Sequence, residues 1–207
     1  MGSATLAELD GRQSRAARSR LAICEACLDL VQEGALQPSA DQIAERAGVS
    51  RRSIFNHFTG LAELYDAVVE VGMQRCAPLL ERISEREPVA HRIEQLVRVR
   101  SNFLEGTAAF TRALTAQALV GPAADQAQRV SRDGLRRQGQ EVERLFQPEL
   151  RDLSPGQQAE ILEALSAATS PLLWEYLRRS RGSSIARARA VMRRTLTAIL
   201  RDAGVDA

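Results

Sequence analysis

The 207-residue sequence predicts an all-α protein of about nine helices. Three observations carry this. Apolar residues recur at three- and four-residue intervals along most of the chain, the period of one helix face. No run of period-two alternation appears and β-branched clusters are scarce, so strands have no candidates. Ser, Thr, Gly and Pro stand where helix caps and stops are needed.

The elements follow in order. Residues 1–14 are small and polar and read as a flexible arm. A first helix spans about 14–33, with Leu21, Cys24, Leu28 and Val31 on one stripe and Gly34 as its stop. Ser39, with Gln42 three residues on, makes a capping box for a short second helix ending at Gly48. Ser50 caps a third, 51–58, and a fourth starts near Gly60 and is kinked by Pro78. A fifth helix is expected to end at Gly106 and a sixth to start at Thr107 and end before Gly121-Pro122. A seventh runs from Ala123 to Phe146, with Pro148 as its breaker. Ser154-Pro155-Gly156-Gln157 opens an eighth towards Arg181, kinked at Pro171. The ninth, 185–202, closes at Gly204.

Hydrophobic residues make up 44% and charged residues 26% of the chain, the balance of a globular protein. No stretch approaches the ~18 consecutive apolar residues of a membrane span. The start has no basic region followed by an apolar core, and three Cys are too few for a disulfide scaffold. The expectation is a cytoplasmic protein with no membrane contact. Every basic residue is Arg, and the net charge is +2. Bulk charge therefore selects no partner, although Arg groups near the start and at Arg51 and Arg52 offer a phosphate-contacting face.

Residues 39–58 are a helix-turn-helix candidate. Ile43, Ala44 and Ala47 form a small apolar inner face, Gly48 suits a turn of positive φ, and Val49 plugs the gap between the helices. Ile54 and Phe58 face inward from the third helix. Its outward face shows Arg51, Arg52, Ser53, Asn56 and His57, side chains that donate to phosphates or base edges.

Over residues 15–69 the sequence resembles the DNA-binding region of TetR-type transcriptional regulators. The resemblance is densest in Gln42-Ile43-Ala44-Glu45-Arg46-Ala47-Gly48-Val49-Ser50 and in Arg51-Arg52-Ser53-Ile54-Phe55-Asn56-His57-Phe58. It implies a helix-turn-helix DNA-binding domain at 15–60 and a ligand-binding and dimerisation domain at 61–207. It further implies a homodimer, a palindromic double-stranded operator and release of repression by a small molecule. Ser39, Arg15, Arg51, Arg52, Ser53, Asn56 and His57 are then the DNA-binding residues. Three positions depart from the family pattern: Phe55 stands where Tyr is usual, Leu61 where Lys is usual, and Arg52 where Gly is frequent.

Within the C-terminal part, Met73, Phe103, Phe110, Leu114 and Trp174 are the candidate walls of an effector pocket. Their composition points to a hydrophobic or aromatic effector. Ile161, Leu165 and Leu172 on the eighth helix, and Met192, Leu196 and Ile199 on the ninth, are the candidate dimer interface, since two long apolar helices suit a four-helix bundle between subunits. No catalytic residue, metal or cofactor is expected. The alternative is redox sensing by Cys24 and Cys27, a C-x-x-C pair. Both lie on the apolar stripes of the first helix, where Cys serves as a small hydrophobe. Only His57, His91 and Cys76 remain to complete a metal site, at scattered positions.

Overall fold

The computed structural model describes residues 6–207, with side chains from Ser14 onward, and all regular elements among them are helical. Residues 1–5 of the expected arm lie outside the described residues; from Leu6 the chain is helix rather than arm. The helices are α1 (Leu6–Gln32), α2 (Ala40–Ala47), α3 (Arg51–His57), α4 (Leu61–Cys76), α5 (Val89–Val120), α6 (Ala124–Leu150), α7 (Pro155–Ala168), α8 (Pro171–Glu175) and α9 (Ile185–Asp202).

The cap signals near the start are realised atom for atom. Ser39 Oγ accepts from the Gln42 N–H at 3.3 Å, and Gln42 Oε1 accepts from the Ser39 N–H at 2.8 Å. Gly48 takes φ +65°, a conformation costly for any residue with a Cβ, and so turns α2 into α3.

Interior glycines and prolines behave differently from the sequence expectation. α5 runs unbroken through Gly106. Thr107 does not cap a new helix; its hydroxyl donates to the Phe103 carbonyl at 2.7 Å, one turn back. Gly106 serves close packing instead, because a Cβ there would sit 2.9 Å from Leu79 Cδ1. α6 likewise continues through Pro148 to Leu150, where a missing N–H costs one bond in a last turn anchored by buried Phe146 and Leu150. Pro78 ends α4 in a short 3-10 turn, Ala77–Leu79, rather than kinking it. Pro171 is the first residue of a separate helix capped by Ser170, whose Oγ accepts from the Leu173 N–H at 3.2 Å. A π-helical turn, Tyr176–Ser180, follows it.

The chain forms two compact units. The first comprises residues up to Arg75 together with Ala109–Val130; the second comprises Cys76–Ala108 and Ser131–Ala207. The units do not divide at residue 60. Leu64, Tyr65 and Val68 of α4 are buried, and the Tyr65 hydroxyl donates to the Pro38 carbonyl ahead of α2, so α4 is built into the head.

In the second unit α7 and α9 pack together around a core that includes Leu96, Phe146, Leu165, Trp174, Met192 and Leu196. This corrects half of the expected dimer interface. Leu165, Met192 and Leu196 are 0% exposed within one chain and have no surface left to offer a second. The same spacing that made them look like an interface stripe made them a core stripe. Ile161 and Ile199 are half-buried against that core, whereas Leu172 is 83% exposed. Polar ties join the elements of this unit: Arg92 to Glu149, Arg100 to Glu141, and Gln138 Nε2 to the Ser166 carbonyl at 3.0 Å.

Candidate nucleic-acid interface

α2 and α3 pack on α1 through Ile23, Cys27, Ile43, Ala44 and Ile54, all buried. The small side chains of Ala40 and Ala44 allow the close crossing that a tight two-helix turn requires. With the inner face filled, α3 presents the rest of its surface outward.

The expected DNA-binding residues are brought together on this head with unequal freedom. Arg52 and Asn56 are exposed. Arg51 is exposed but pairs with Asp41 of α2 at 2.8 Å, and its guanidinium lies 5.8 Å from the centre of the Phe55 ring. Ser53 and His57 are half-buried. Ser39 is exposed; its oxygen is engaged in the capping box, and its O–H remains a donor. Arg15 is exposed on α1. Phe55 and Leu61, the two positions that depart from the donor pattern, are 41% and 37% exposed, so they add apolar surface to the same region.

The side chain that sequence reasoning passed over is Arg20. It stood as one of several N-terminal arginines, with no spacing to distinguish it. In the structure its guanidinium stacks on the Phe58 ring at 4.1 Å, donates to the His57 carbonyl at 2.5 Å and pairs with Glu63 at 2.8 Å. Glu63 in turn accepts from the Thr59 N–H at 2.7 Å and the Thr59 hydroxyl at 2.8 Å. These bonds, the backbone one foremost, hold the Glu63 carboxyl down at about 2. One cation thus locks the end of α3 and the start of α4 to α1.

Residues 28–68 match the family model for bacterial regulatory proteins of the tetR family. This stretch of the chain is similar to the DNA-binding head of that family. The matched segment takes in the end of α1, the helix-turn-helix and the first half of α4, the elements that set α3 outward. No curated protein matches the sequence. The crystal structure of a transcriptional regulator from Rhodococcus sp. Rha1 matches the fold with a TM-score of 0.64 at 17% sequence identity, over 93% of this chain and 98% of that one.

Beyond this head the expected effector walls are divided between the two units. Met73, Phe110 and Leu114 belong to the first unit, Phe103 and Trp174 to the second. Trp174 is 2% exposed and packed in the core, and its indole N–H donates to Glu105 Oε1 at 2.7 Å, an oxygen that also accepts from Arg178 Nε at 2.7 Å. Phe110 covers Gly72. None of the five lines the concavity beside Arg82, Arg86 and Arg144 or the one beside Asp66 and Arg129. Cys24 and Cys27 are buried free thiols whose burial pushes them up to about 11 and about 12.

Proposed function

We propose that this protein is an effector-responsive repressor that binds a palindromic operator as a homodimer. The observation that carries the reading is the outward face of α3 in the TetR head: Arg52 and Asn56 are exposed on a helix locked in place by Arg20. A helix so presented fits the major groove, where Arg reads guanine and Asn reads adenine by paired hydrogen bonds. In this reading Arg15 and the Ser39 hydroxyl contact phosphates, which set register and orientation.

The homodimer reading is supported by the second unit's surface rather than by its core stripes. Leu172 and Tyr176 are large, exposed and close in sequence, so a second copy of the chain is the natural cover for them. Redox sensing is not favoured. A sensor thiol needs exposure and a lowered pKa, and Cys24 and Cys27 have neither.

Selection of DNA from a random pool tests the proposal. The expected product is a two-fold sequence with half-sites about one helical turn apart. Affinity should fall with salt by a log–log slope of about 0.9 per phosphate contacted. Equal binding to selected and unselected duplexes overturns it.

A further inference from the structure

Within α3 the exposed side chains are Arg51, Arg52, Phe55 and Asn56. Arg51, Arg52 and Asn56 carry hydrogen-bonding groups, and Phe55 carries none. Phe55 is not a displaced core residue, because the inner face is already filled by Ile54, with Phe58 at the C-cap. A bare phenyl ring on the face that is otherwise polar calls for a partner that is charged around its edge and apolar at one point.

The setting of the ring describes that partner further. Successive residues turn about 100° around a helix axis. Phe55 therefore stands about 40° from Arg51 and about 60° from Arg52 around α3. Arg51 is held by Asp41 of α2 at 2.8 Å, and its guanidinium lies 5.8 Å from the centre of the Phe55 ring. Two cations thus flank the ring, one of them tethered. An apolar protein surface laid over it would have to take both charges out of water, which is costly. The major groove of DNA does not ask for that. Phosphates line its rims, and the thymine 5-methyl is an apolar group on its floor.

We propose that Phe55 is a specificity-determining residue whose ring packs on a thymine 5-methyl in each operator half-site. The inference rests on the reading that α3 enters the major groove, and it names one base the groove must present. Arg52 and Asn56 select bases by hydrogen bonds, whereas Phe55 selects by a methyl group that makes none. From Arg52 to Phe55 the helix advances about 4.5 Å, against about 3.4 Å for one base step. The thymine therefore lies within about two base pairs of the base that Arg52 reads.

Fluorescence anisotropy on the full-length protein, with the operator duplex selected from a random pool, tests the contact. Thymines are replaced one at a time by deoxyuridine, which keeps every hydrogen-bonding group and lacks the 5-methyl alone. At one thymine in each half-site the replacement should weaken wild-type binding about fourfold, the worth of one methyl taken out of water. Phe55→Ala should bind the thymine and deoxyuridine duplexes equally. Phe55→Leu, which keeps an apolar body, should retain a reduced preference for thymine. Wild-type binding that ignores every deoxyuridine overturns the inference, as does a half-site that requires no thymine. A thymine preference that persists undiminished in Phe55→Ala also overturns it, because the ring would then act only by shaping α3 or holding Arg51. A selection that yields no sequence preference is a separate outcome, seen before any thymine is replaced, and it overturns the regulator reading itself.

Discussion

The guanidinium of Arg20 lies 4.1 Å from the centre of the Phe58 ring, at the junction of α1, α3 and α4. Through it the outward helix is fixed by one side chain of α1. A stacked cation of this kind is worth about 0.5–2 kcal/mol, depending on its exposure. Arg20→Met, which keeps an apolar body over the ring, should lower stability to urea by about 1–2 kcal/mol and reduce operator affinity. An unchanged unfolding midpoint would remove Arg20 from this role.

Glu63 predicts a pH dependence with a definite sign. Its carboxyl is held at about 2, below its ordinary 4.5, by Thr59 and Arg20. The folded state therefore binds this proton more weakly than the unfolded chain does. Its stabilisation is fully present above pH 4.5 and disappears as pH falls towards about 2. Glu63→Gln should melt lower than the parent at pH 7, and the difference should close over that acidic window. A gap that persists unchanged at pH 2 would show that the carboxylate charge is not responsible.

Burial keeps Cys24 and Cys27 protonated at neutral pH, at about 11 and about 12. A thiol-specific reagent at pH 8 should label them no faster than the protein unfolds. Replacing both by Ala should leave operator affinity intact while costing stability through lost packing. A Cys24–Cys27 disulfide formed in the native protein under mild oxidant, with altered DNA affinity, would favour the redox reading.

Arg51 and Arg52 should differ in operator binding. Arg52 is exposed, while Arg51 is paired with Asp41 at 2.8 Å. Arg52→Ala should cost about 1–3 kcal/mol if it reads a base. Asp41→Ala should free Arg51 and alter affinity in a way that Arg51→Ala abolishes. Normal binding by both arginine variants, measured by fluorescence anisotropy, would move the recognition surface elsewhere.

The second unit separates core from interface. Leu172→Glu should leave the fold intact and shift sedimentation towards monomer. Leu165→Glu should prevent folding, because a buried unpaired carboxylate has no compensation there. A dimeric Leu172→Glu protein would place the subunit contact on another face.

Local signals were the most legible. Ser39 with Gln42, Gly48, Ser50, and Ser154 with Gln157 each act within one turn of chain, and each does in the structure what its spacing implied. The outward-facing residues of α3 were legible for the same reason: a seven-residue helix has one inner face, and Ile54 with the C-cap Phe58 declares it. Gly106 and Pro148 were misleading as stops because their local cost is small beside the burial of the long helices that contain them. Leu79 and Phe146 decide those positions, and both come from packing.

The sequence by itself determined the helical class, the capped turn of the head and the side of α3 that faces outward, all consequences of periodicity and single-turn geometry. Tertiary structure alone decided that Arg20 locks the head, that α4 belongs with it, that Leu165, Met192 and Leu196 are core, and that Trp174 pairs with Glu105. Those outcomes depend on side chains many residues apart meeting in space. An apolar stripe looks the same in sequence whether its own chain or a second one covers it.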